Sequence, residues 1–169
     1  MPENPKYNEK LVSAKLKQLE RFRKERKART QAQGKLRLPP GQHEVKNFPV
    51  LDLGMHPPFD PKTWTFSIDG EVENPMTFSW EEFNALPMAE QTSDFHCVTT
   101  WSRFDLPWKG VKMRHLAKLV RPKPGANFVV MESYDAYTTN TSAHEALAED
   151  ALLAVELEGK PIALEHGGP

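Results

Sequence analysis

The one cysteine of this chain, Cys97, is the residue whose type is best suited to chemistry. It follows His96 and precedes the sequence VTTWSR of residues 98–103, where an apolar strand is expected to meet a polar, aromatic loop. A lone cysteine is most often a small buried hydrophobe, whereas loops that a rigid strand positions often carry function. Thiolate is a soft metal ligand, and one thiolate suffices when a cofactor brings further sulfur donors. Cys97 is therefore a candidate metal ligand, with a buried structural cysteine as the alternative.

Other cofactor classes lack their usual residues in this sequence. One cysteine excludes an internal disulfide, a C-x-x-C redox pair, a c-type haem attachment motif and a four-cysteine cluster. We therefore expect neither haem nor an iron–sulfur cluster. No glycine pattern of the Walker or Rossmann type is present. Four histidines are scattered without the spacing of a zinc site, namely His43, His56, His115 and His144.

The first 40 residues are strongly basic, with 12 Lys and Arg against 4 Asp and Glu. The rest of the chain holds 10 basic and 19 acidic side chains. The net charge of −1 is therefore the sum of a positive charge on a basic arm and a negative charge on an acidic body. Between Asn8 and Gln33 the arm lacks glycine and proline and has an apolar stripe, which predicts a helix. The stripe consists of Leu11, Val12, Leu16, Leu19 and Phe22. This helix either docks on the body or contacts a nucleic acid or another anionic surface.

After a break at Pro39-Pro40-Gly41, the chain predicts a mixed α+β domain with short elements and long loops. Ser79 and Glu82 form a capping-box pattern that begins a short helix, which stops at Pro87. Further helices are predicted at residues 113–120 and 143–149. Strands are predicted at residues 64–68, 77–78 and 152–157, a strand leading into a loop at 95–101, and a buried strand at 128–131.

The sequence also bears on the location of the protein. No apolar run of 18 residues is present, and residues 1–10 are polar, without the apolar core of a secretory signal. No Arg-Arg pair precedes an apolar run either. We therefore expect no membrane span and a cytoplasmic location.

Three stretches resemble the bacterial, single-domain branch of the sulfite oxidase family, whose members have an oxidoreductase molybdopterin-binding domain. They are FPVLDLG at residues 48–54, HCVTTWSR at 96–103 followed by WKGV at 108–111, and HGGP at 166–169. Linking segments at residues 64–70, 80–83 and 133–140 are also similar. The cysteine and HGGP stretches are specific in combination. We therefore expect a basic helical arm at residues 1–37 and a molybdopterin-binding domain at residues 38–169.

The resemblance implies roles for three residues in catalysis. Cys97 would ligate molybdenum beside the dithiolene sulfurs of one pterin and oxo or hydroxo ligands. Tyr137 matches the tyrosine that faces the substrate in sulfite oxidases, where a phenol can donate a hydrogen bond to an oxo group or a bound oxyanion. A tyrosine at the edge of the core is the alternative. Arg103 is a candidate anion-attracting group near the metal, with a solvated loop arginine as the alternative.

Three further residues correspond to cofactor contacts in the family. Ser133 follows the predicted buried strand, where relatives place a hydroxyl near the pterin. His166 lies where the family uses a polar side chain against the phosphate or pterin, and Asn47 matches an N-terminal pterin contact. After HGGP, relatives continue with a phosphate-binding arginine and a segment that closes the site. We therefore expect this chain to be shortened at its C-terminus, with part of the cofactor site missing.

The resemblance implies a molybdopterin-dependent oxidoreductase that performs two-electron oxygen-atom transfer on a small sulfur-containing or similar substrate. Because no haem or iron–sulfur ligand set accompanies the cysteine, electrons are expected to pass through a separate electron-transfer protein or carrier. The alternative is a binding protein that retains the fold without the cofactor. A nucleic-acid-binding protein is the least favoured class, because the body is acidic.

Overall fold

The structure, a computed structural model, describes residues 10, 13–17, 20, 37–51, 54 and 56–169. The chain divides into two compact units. The first unit consists of Met1–Met55, Thr92–Leu106 and Ala163–Gly167, and the second of His56–Gln91, Pro107–Ile162 and Gly168–Pro169. Each unit is therefore built from three segments that are separated in sequence.

Strands predominate in the described body of the protein, and the helices are short. The strands are β1 (His43–Glu44), β2 (Thr65–Ile68), β3 (Met76–Ser79), β4 (Met88–His96), β5 (Trp101–Lys112), β6 (Phe128–Glu132), β7 (Thr138–Ser142), β8 (Leu152–Leu157) and β9 (Lys160–Pro161). The helices are α1 (Trp80–Asn84), α2 (Met113–Val120) and α3 (Ala143–Ala146), and Leu164–His166 forms a 3₁₀ turn. This mixture confirms the predicted α+β class.

Strand β5 organises the largest sheet. It pairs with β1, β4 and β8, and β8 also pairs with β9, which gives five strands in one sheet. β1 runs parallel to β5, with His43 opposite Trp101, whereas β8 runs antiparallel to it. The pairs β2–β3 and β6–β7 form two separate two-stranded antiparallel sheets.

The first unit includes the described residues of the basic arm. Residues 10, 13–17 and 20 are helical, as predicted. The ammonium group of Lys15 donates to the carbonyl of Val50 at 2.9 Å, so the helix docks on the segment after β1. Leu16 is exposed. Four other residues of the predicted apolar stripe, Leu11, Val12, Leu19 and Phe22, lie outside the described residues. The arm boundary at residues 37 and 38 stays a prediction.

The second unit contains a hydrophobic core around Phe83, Val111 and Leu116, which are almost fully buried. The rings of Trp64 and Phe66 pack edge-on against that of Phe83, each with a centroid separation of 5.4 Å. The predicted strands at residues 64–68, 77–78 and 152–157 are confirmed as β2, β3 and β8, and the predicted helix at 113–120 is confirmed as α2. The apolar faces of these elements supply this core.

Helix α1 begins as its sequence predicts. The hydroxyl of Ser79 accepts a hydrogen bond from the backbone N–H of Glu82, and the carboxylate of Glu82 accepts one from the backbone N–H of Ser79. These two bonds lower the pKa of Glu82 below its usual value. The capping box therefore satisfies two N–H groups that would otherwise lack partners at the helix start.

Strand β5 is much longer than the sequence pattern indicates. Asp105, Pro107 and Gly110 have low strand propensity, yet the strand runs for 12 residues. Pairing with three neighbouring strands overrides these local preferences. Gly110 lies where the register between β5 and β8 shifts, and an added Cβ atom would lie only 2.1 Å from the carbonyl oxygen of Leu153. A glycine is therefore required at this position.

The predicted buried strand at residues 128–131 exists as β6, but the prediction of its burial is wrong. Phe128 and Val130 are 71% and 72% exposed. An apolar run is buried only when another layer covers it, and β6 pairs with β7 alone in a two-stranded sheet. One bound also differs from prediction, because α3 ends at Ala146 rather than at residue 149. The predicted strand leading into a loop at residues 95–101 is confirmed, since β4 ends at His96 and a loop follows before β5 begins at Trp101.

We expect Gly110→Ala to destabilise the protein by roughly 1–3 kcal/mol, because the new methyl group forces the β5 and β8 backbones apart. Urea unfolding followed by circular dichroism measures this loss. Lys109→Ala is the matched control, since it lies in the same strand and removes a partly exposed ion pair with Glu156 without bringing the two backbones into conflict. Equal stability of Gly110→Ala and the unsubstituted protein would show that the two strands are not in close contact here.

Candidate functional site

Cys97 begins the loop that joins β4 to β5. Its backbone N–H donates to the carbonyl of Trp101 at 2.9 Å, and the N–H of Thr100 donates to the carbonyl of Cys97 at 2.9 Å. These two bonds close a three-residue hairpin loop over residues 98–100. Thr100 has a φ of 78°, in the left-handed region where such loops favour glycine. A β-branched residue there is strained, so the surrounding contacts must hold it in place.

The side chain of Cys97 is half-buried, and its sulfur lies 3.1 Å from the hydroxyl oxygen of Thr99. Because a thiolate accepts hydrogen bonds but cannot donate them, the hydroxyl of Thr99 donates to the sulfur when Cys97 is ionised. Val98 is 93% exposed, so the tip of the loop faces solvent. The loop therefore presents a single soft sulfur donor next to a hydroxyl group.

Polar side chains support this loop within the first unit. The side-chain amide of Gln42 donates to the carbonyl of Cys97 at 3.0 Å, and its oxygen accepts from the hydroxyl of Ser102 at 3.2 Å. Ser102 is fully buried, and its hydroxyl also lies 2.8 Å from Nδ1 of His96. The ring of His96 is thus directed to Ser102.

An aromatic cluster lies beside the Cys97 loop. The ring of Phe48 packs edge-on against those of Phe95 and Trp101, with centroid separations of 5.4 and 5.2 Å. The guanidinium of Arg103 lies 4.8 Å from the centre of the Phe48 ring, and the imidazole of His166 lies 5.7 Å from it. Two sequence-predicted residues, Arg103 and His166, therefore meet at one phenylalanine of the first unit.

Asn47 and His166 are positioned by local backbone features. Asn47 immediately precedes Phe48 and is exposed. His166 ends the 3₁₀ turn, and the following residue, Gly167, has a φ of 89°, a conformation that glycine adopts readily. The first glycine of the HGGP stretch is thus explained by the turn that presents His166. Asn47 and His166 lie in the first unit, as do Cys97 and Arg103. The first unit therefore contains four of the six predicted site residues.

Ser133 and Tyr137 belong to the second unit, at the turn between β6 and β7. Both the backbone N–H and the hydroxyl of Ser133 donate to the carbonyl of Tyr137, at 3.0 and 3.1 Å. The Tyr137 side chain is 69% exposed. A carboxylate oxygen of Asp135 accepts from the backbone N–H of Tyr137 at 3.0 Å, and Ala136 has a φ of 64°. The turn therefore holds Ser133 close to Tyr137 and leaves the phenol accessible.

Arg37 joins the two strands that flank the Cys97 loop. Its guanidinium forms bidentate ion pairs with Asp94 of β4 and with Asp105 of β5, the latter at 2.7 and 2.9 Å. It also lies 4.9 Å from the centre of the Phe104 ring. Hydrogen bonds from Arg37 lower the pKa values of both carboxyl groups, and the pKa of Arg37 is raised in turn.

Sequence reasoning did not identify Gln42, Thr99 or Arg37 as residues of this region. Thr99 and Ser102 lie in the recognised cysteine stretch, so that motif was the available signal for them. Gln42 contacts a group 55 positions away, and Arg37 contacts groups at least 57 positions away. No local sequence pattern indicates such contacts.

In the described part of the chain, no group of three or more His, Cys, Asp or Glu side chains is arranged to hold a bare metal ion. None of the described helices is both long and apolar enough to cross a membrane.

Comparison with known proteins adds independent information. Residues 53–169 match the family described as oxidoreductase molybdopterin binding domain. The chain is 39% identical over 134 residues to the uncharacterized oxidoreductase YuiH of Bacillus subtilis (strain 168), which covers 79% of this chain and 68% of YuiH. It is 30% identical over 128 residues to the protein-methionine-sulfoxide reductase catalytic subunit MsrP of Campylobacter jejuni, covering 66% of this chain and 43% of MsrP.

The fold is similar to that of a solved structure. The crystal structure of the sulfane dehydrogenase SoxCD from Paracoccus pantotrophus superposes with a TM-score of 0.59 at 19% sequence identity. The match covers 68% of this chain and 34% of the SoxCD chain. At this level of identity the likeness concerns the fold alone. This chain spans less than half the length of MsrP and of the SoxCD chain.

We expect Arg37→Gln to weaken the dependence of stability on acid pH. Asp94 and Asp105 have folded pKa values below the usual value of 3.8, so the stability they contribute is present above about pH 4 and is lost as the pH falls through the folded pKa values. Without Arg37, the pKa values of Asp94 and Asp105 in the folded protein move toward those in the unfolded protein. Urea unfolding between pH 7 and pH 3 should therefore show a smaller loss of unfolding free energy in the variant.

Arg114→Gln is the matched control for this measurement. Arg114 donates from Nε to the carbonyl of Leu147 at 2.7 Å, and a carbonyl does not titrate in this range. The control should keep the acid dependence of the unsubstituted protein. If Arg37→Gln also keeps it, the two carboxylates are not held by Arg37 in solution.

Proposed function

The chain belongs to the sulfite oxidase family of oxidoreductases with a molybdopterin-binding domain, and we propose that it is a molybdopterin-dependent enzyme with Cys97 as its molybdenum ligand. The observation that carries the proposal is the Cys97 loop. It presents one half-buried sulfur beside the hydroxyl of Thr99, at the base of a tightly closed three-residue hairpin loop.

The donor chemistry of this loop fits the cofactor. Molybdenum held by the dithiolene of a pterin already has two sulfur donors, so one further soft ligand from the protein suits it. Arg103 and His166 both lie against Phe48, whose ring contacts Trp101 at the end of the loop. A guanidinium and an imidazole that contact the same ring suit an anionic group such as the cofactor's phosphate.

The bound cofactor would supply two-electron oxygen-atom chemistry, and the protein supplies ligation, orientation and electrostatics. In this proposal the hydroxyl of Thr99 donates to the thiolate and holds its rotamer, and the guanidinium of Arg103 attracts anions to the first unit. Asn47 and Ser133 are proposed pterin contacts. Tyr137 is the proposed substrate-facing phenol, on the basis of the family resemblance.

The proposed substrate is a small sulfur-containing compound. MsrP, a relative at 30% identity, is named for reduction of methionine sulfoxide in proteins. Reduction of a sulfoxide breaks an S–O bond, consumes two electrons and two protons, and releases water. We propose that a separate electron-transfer protein or carrier exchanges these electrons with the cofactor. A cytoplasmic location, expected from the sequence, is part of the same proposal.

Cys97→Ser should lose molybdenum and oxidoreductase activity together, because a serine hydroxyl is a much weaker ligand for a soft, sulfur-bound metal. We expect about one equivalent of molybdenum in the unsubstituted full-length protein after expression in a host that makes the cofactor, and roughly a tenfold or greater loss in the variant. Elemental analysis and turnover with a sulfoxide substrate measure the two quantities.

Val98→Ala, at the exposed neighbour of Cys97, is the control and should retain the metal. Equal molybdenum and equal activity in Cys97→Ser and the unsubstituted protein would refute the role of Cys97. An unsubstituted protein that folds but takes up no molybdenum in that host would instead support the alternative of a cofactor-free binding protein.

The basic arm is a candidate docking element for the electron-transfer partner, because the first 40 residues hold 12 basic and only 4 acidic side chains. Docking through opposite charges gives association rates that fall as ionic strength rises. Deletion of residues 1–35 should therefore lower turnover with an acidic partner at low salt and flatten its salt dependence. Turnover with a small neutral electron donor is the control and should not change. An unaltered salt dependence after the deletion would exclude this role for the arm.

A further inference from the structure

The backbone of Cys97 is fixed on both sides of its Cα atom. Its N–H donates to Trp101, and its carbonyl accepts from two donors, the N–H of Thr100 at 2.9 Å and the amide of Gln42 at 3.0 Å. A carbonyl oxygen has two lone pairs, and both are used here. Since both flanking peptide planes are held, the direction of the Cα–Cβ bond is set. Only the side-chain torsion remains free, and the contact of the sulfur with Thr99 restricts that.

Gln42 is itself held firmly enough to act as a support. Its N–H donates to the carbonyl of Pro39 at 3.1 Å, across a turn with Pro40 and with Gly41 at a φ of 80°. Proline followed by a left-handed glycine is the preferred sequence of a type II turn. The next residue, His43, donates its N–H to the carbonyl of Thr100 at 3.0 Å. The Pro39-Pro40-Gly41 sequence therefore presents Gln42 to the Cys97 loop on a rigid backbone.

The hydrogen bonds around Gln42 form a series in which each group donates to the next. Because its Nε2 donates to Cys97, its Oε1 must accept, and the hydroxyl of Ser102 donates to it. The single hydrogen of that hydroxyl is then used, so Nδ1 of His96 donates to Ser102. Bonds aligned in this way polarise one another. The amide of Gln42 consequently has one favourable orientation, with its N–H toward Cys97.

We propose that Gln42 is a positioning residue for the Cys97 ligand. Its amide holds the Cys97 carbonyl and, through it, the direction in which the sulfur leaves the loop. The proposal rests on the proposed function of Cys97. It assigns a role in the site to a residue that lies outside all of the recognised sequence stretches. Because the backbone of Thr100 is strained, we expect the loop to rearrange when this support is removed.

The test uses Gln42→Met, which keeps the length of the side chain and removes its hydrogen-bonding groups. Gln91→Met is the matched control, because the amide of Gln91 also donates to a backbone carbonyl, that of Asp150 at 2.9 Å, and accepts from Lys112. Amide hydrogen exchange of Cys97 and Thr100 in the metal-free full chain is the first measurement. We expect exchange about fivefold to tenfold faster in Gln42→Met, as for loss of one hydrogen bond, and unchanged in Gln91→Met.

The second measurement is the sulfur-to-molybdenum charge-transfer absorption of the loaded protein, which depends on how the sulfur is oriented toward the metal. We expect Gln42→Met to shift this band while the molybdenum content stays near that of the unsubstituted protein, and Gln91→Met to leave it in place. Exchange of β2 and β3 amides serves as the internal reference, because general destabilisation would accelerate these amides as well.

Ser102→Ala provides a second variant, since it removes the hydroxyl that orients Gln42 but keeps the amide. It should accelerate loop exchange in the same direction, and adding it to Gln42→Met should produce little further change, because the two side chains act as one unit. Unchanged exchange, or faster exchange with an unshifted band, would overturn the proposal. If the unsubstituted protein takes up no molybdenum, the proposed function fails, whereas the exchange result separately decides whether Gln42 holds Cys97.

Discussion

The hydrogen bonds that close the Cys97 loop determine where the other groups of the first unit lie. The bond from the N–H of Cys97 to Trp101 ends β4 and starts β5. Thr100 then accepts from His43, and this bond sets the parallel register of β1 beside β5. β1 leads directly to Phe48, whose ring meets Trp101, Arg103 and His166. A change in the loop would therefore be transmitted to the residues that lie beside it.

The second unit depends on a different kind of interaction, the packing of apolar side chains. Phe83, Val111 and Leu116 form a core in which backbone contacts are close enough to exclude even a methyl group at Gly110. The described residues of the first unit include the buried polar side chain of Ser102 and the ion pairs of Arg37 with Asp94 and Asp105. Polar networks specify geometry more strictly than apolar packing does, because each donor needs its partner at one distance and angle. This suits the role proposed for Cys97 as a metal ligand.

Sequence reasoning recovered what local patterns encode. The Ser79 and Glu82 pair, the alternation in β2 and the apolar face of α2 each depend on residues within one element, and the structure confirms all three elements. The length of β5 could not be predicted, because it comes from pairing with strands distant in sequence. The exposure of β6 was missed because an apolar run does not reveal whether another layer covers it. Gln42 was missed since its partner lies 55 positions away.

The energetics of the loop explain why distant residues are needed. A non-glycine residue in the left-handed region costs about 1–2 kcal/mol, and the buried hydroxyl of Thr100, which has no partner among the described residues, costs about 1–3 kcal/mol more. The two hydrogen bonds that close the loop contribute only about 0.5–1.5 kcal/mol each. At the midpoints of these ranges, closure offsets only part of the two costs. The bonds from His43 and Gln42 supply the difference, so a sequence that keeps the cysteine stretch but loses the segment before β1 would not hold Cys97 in this conformation.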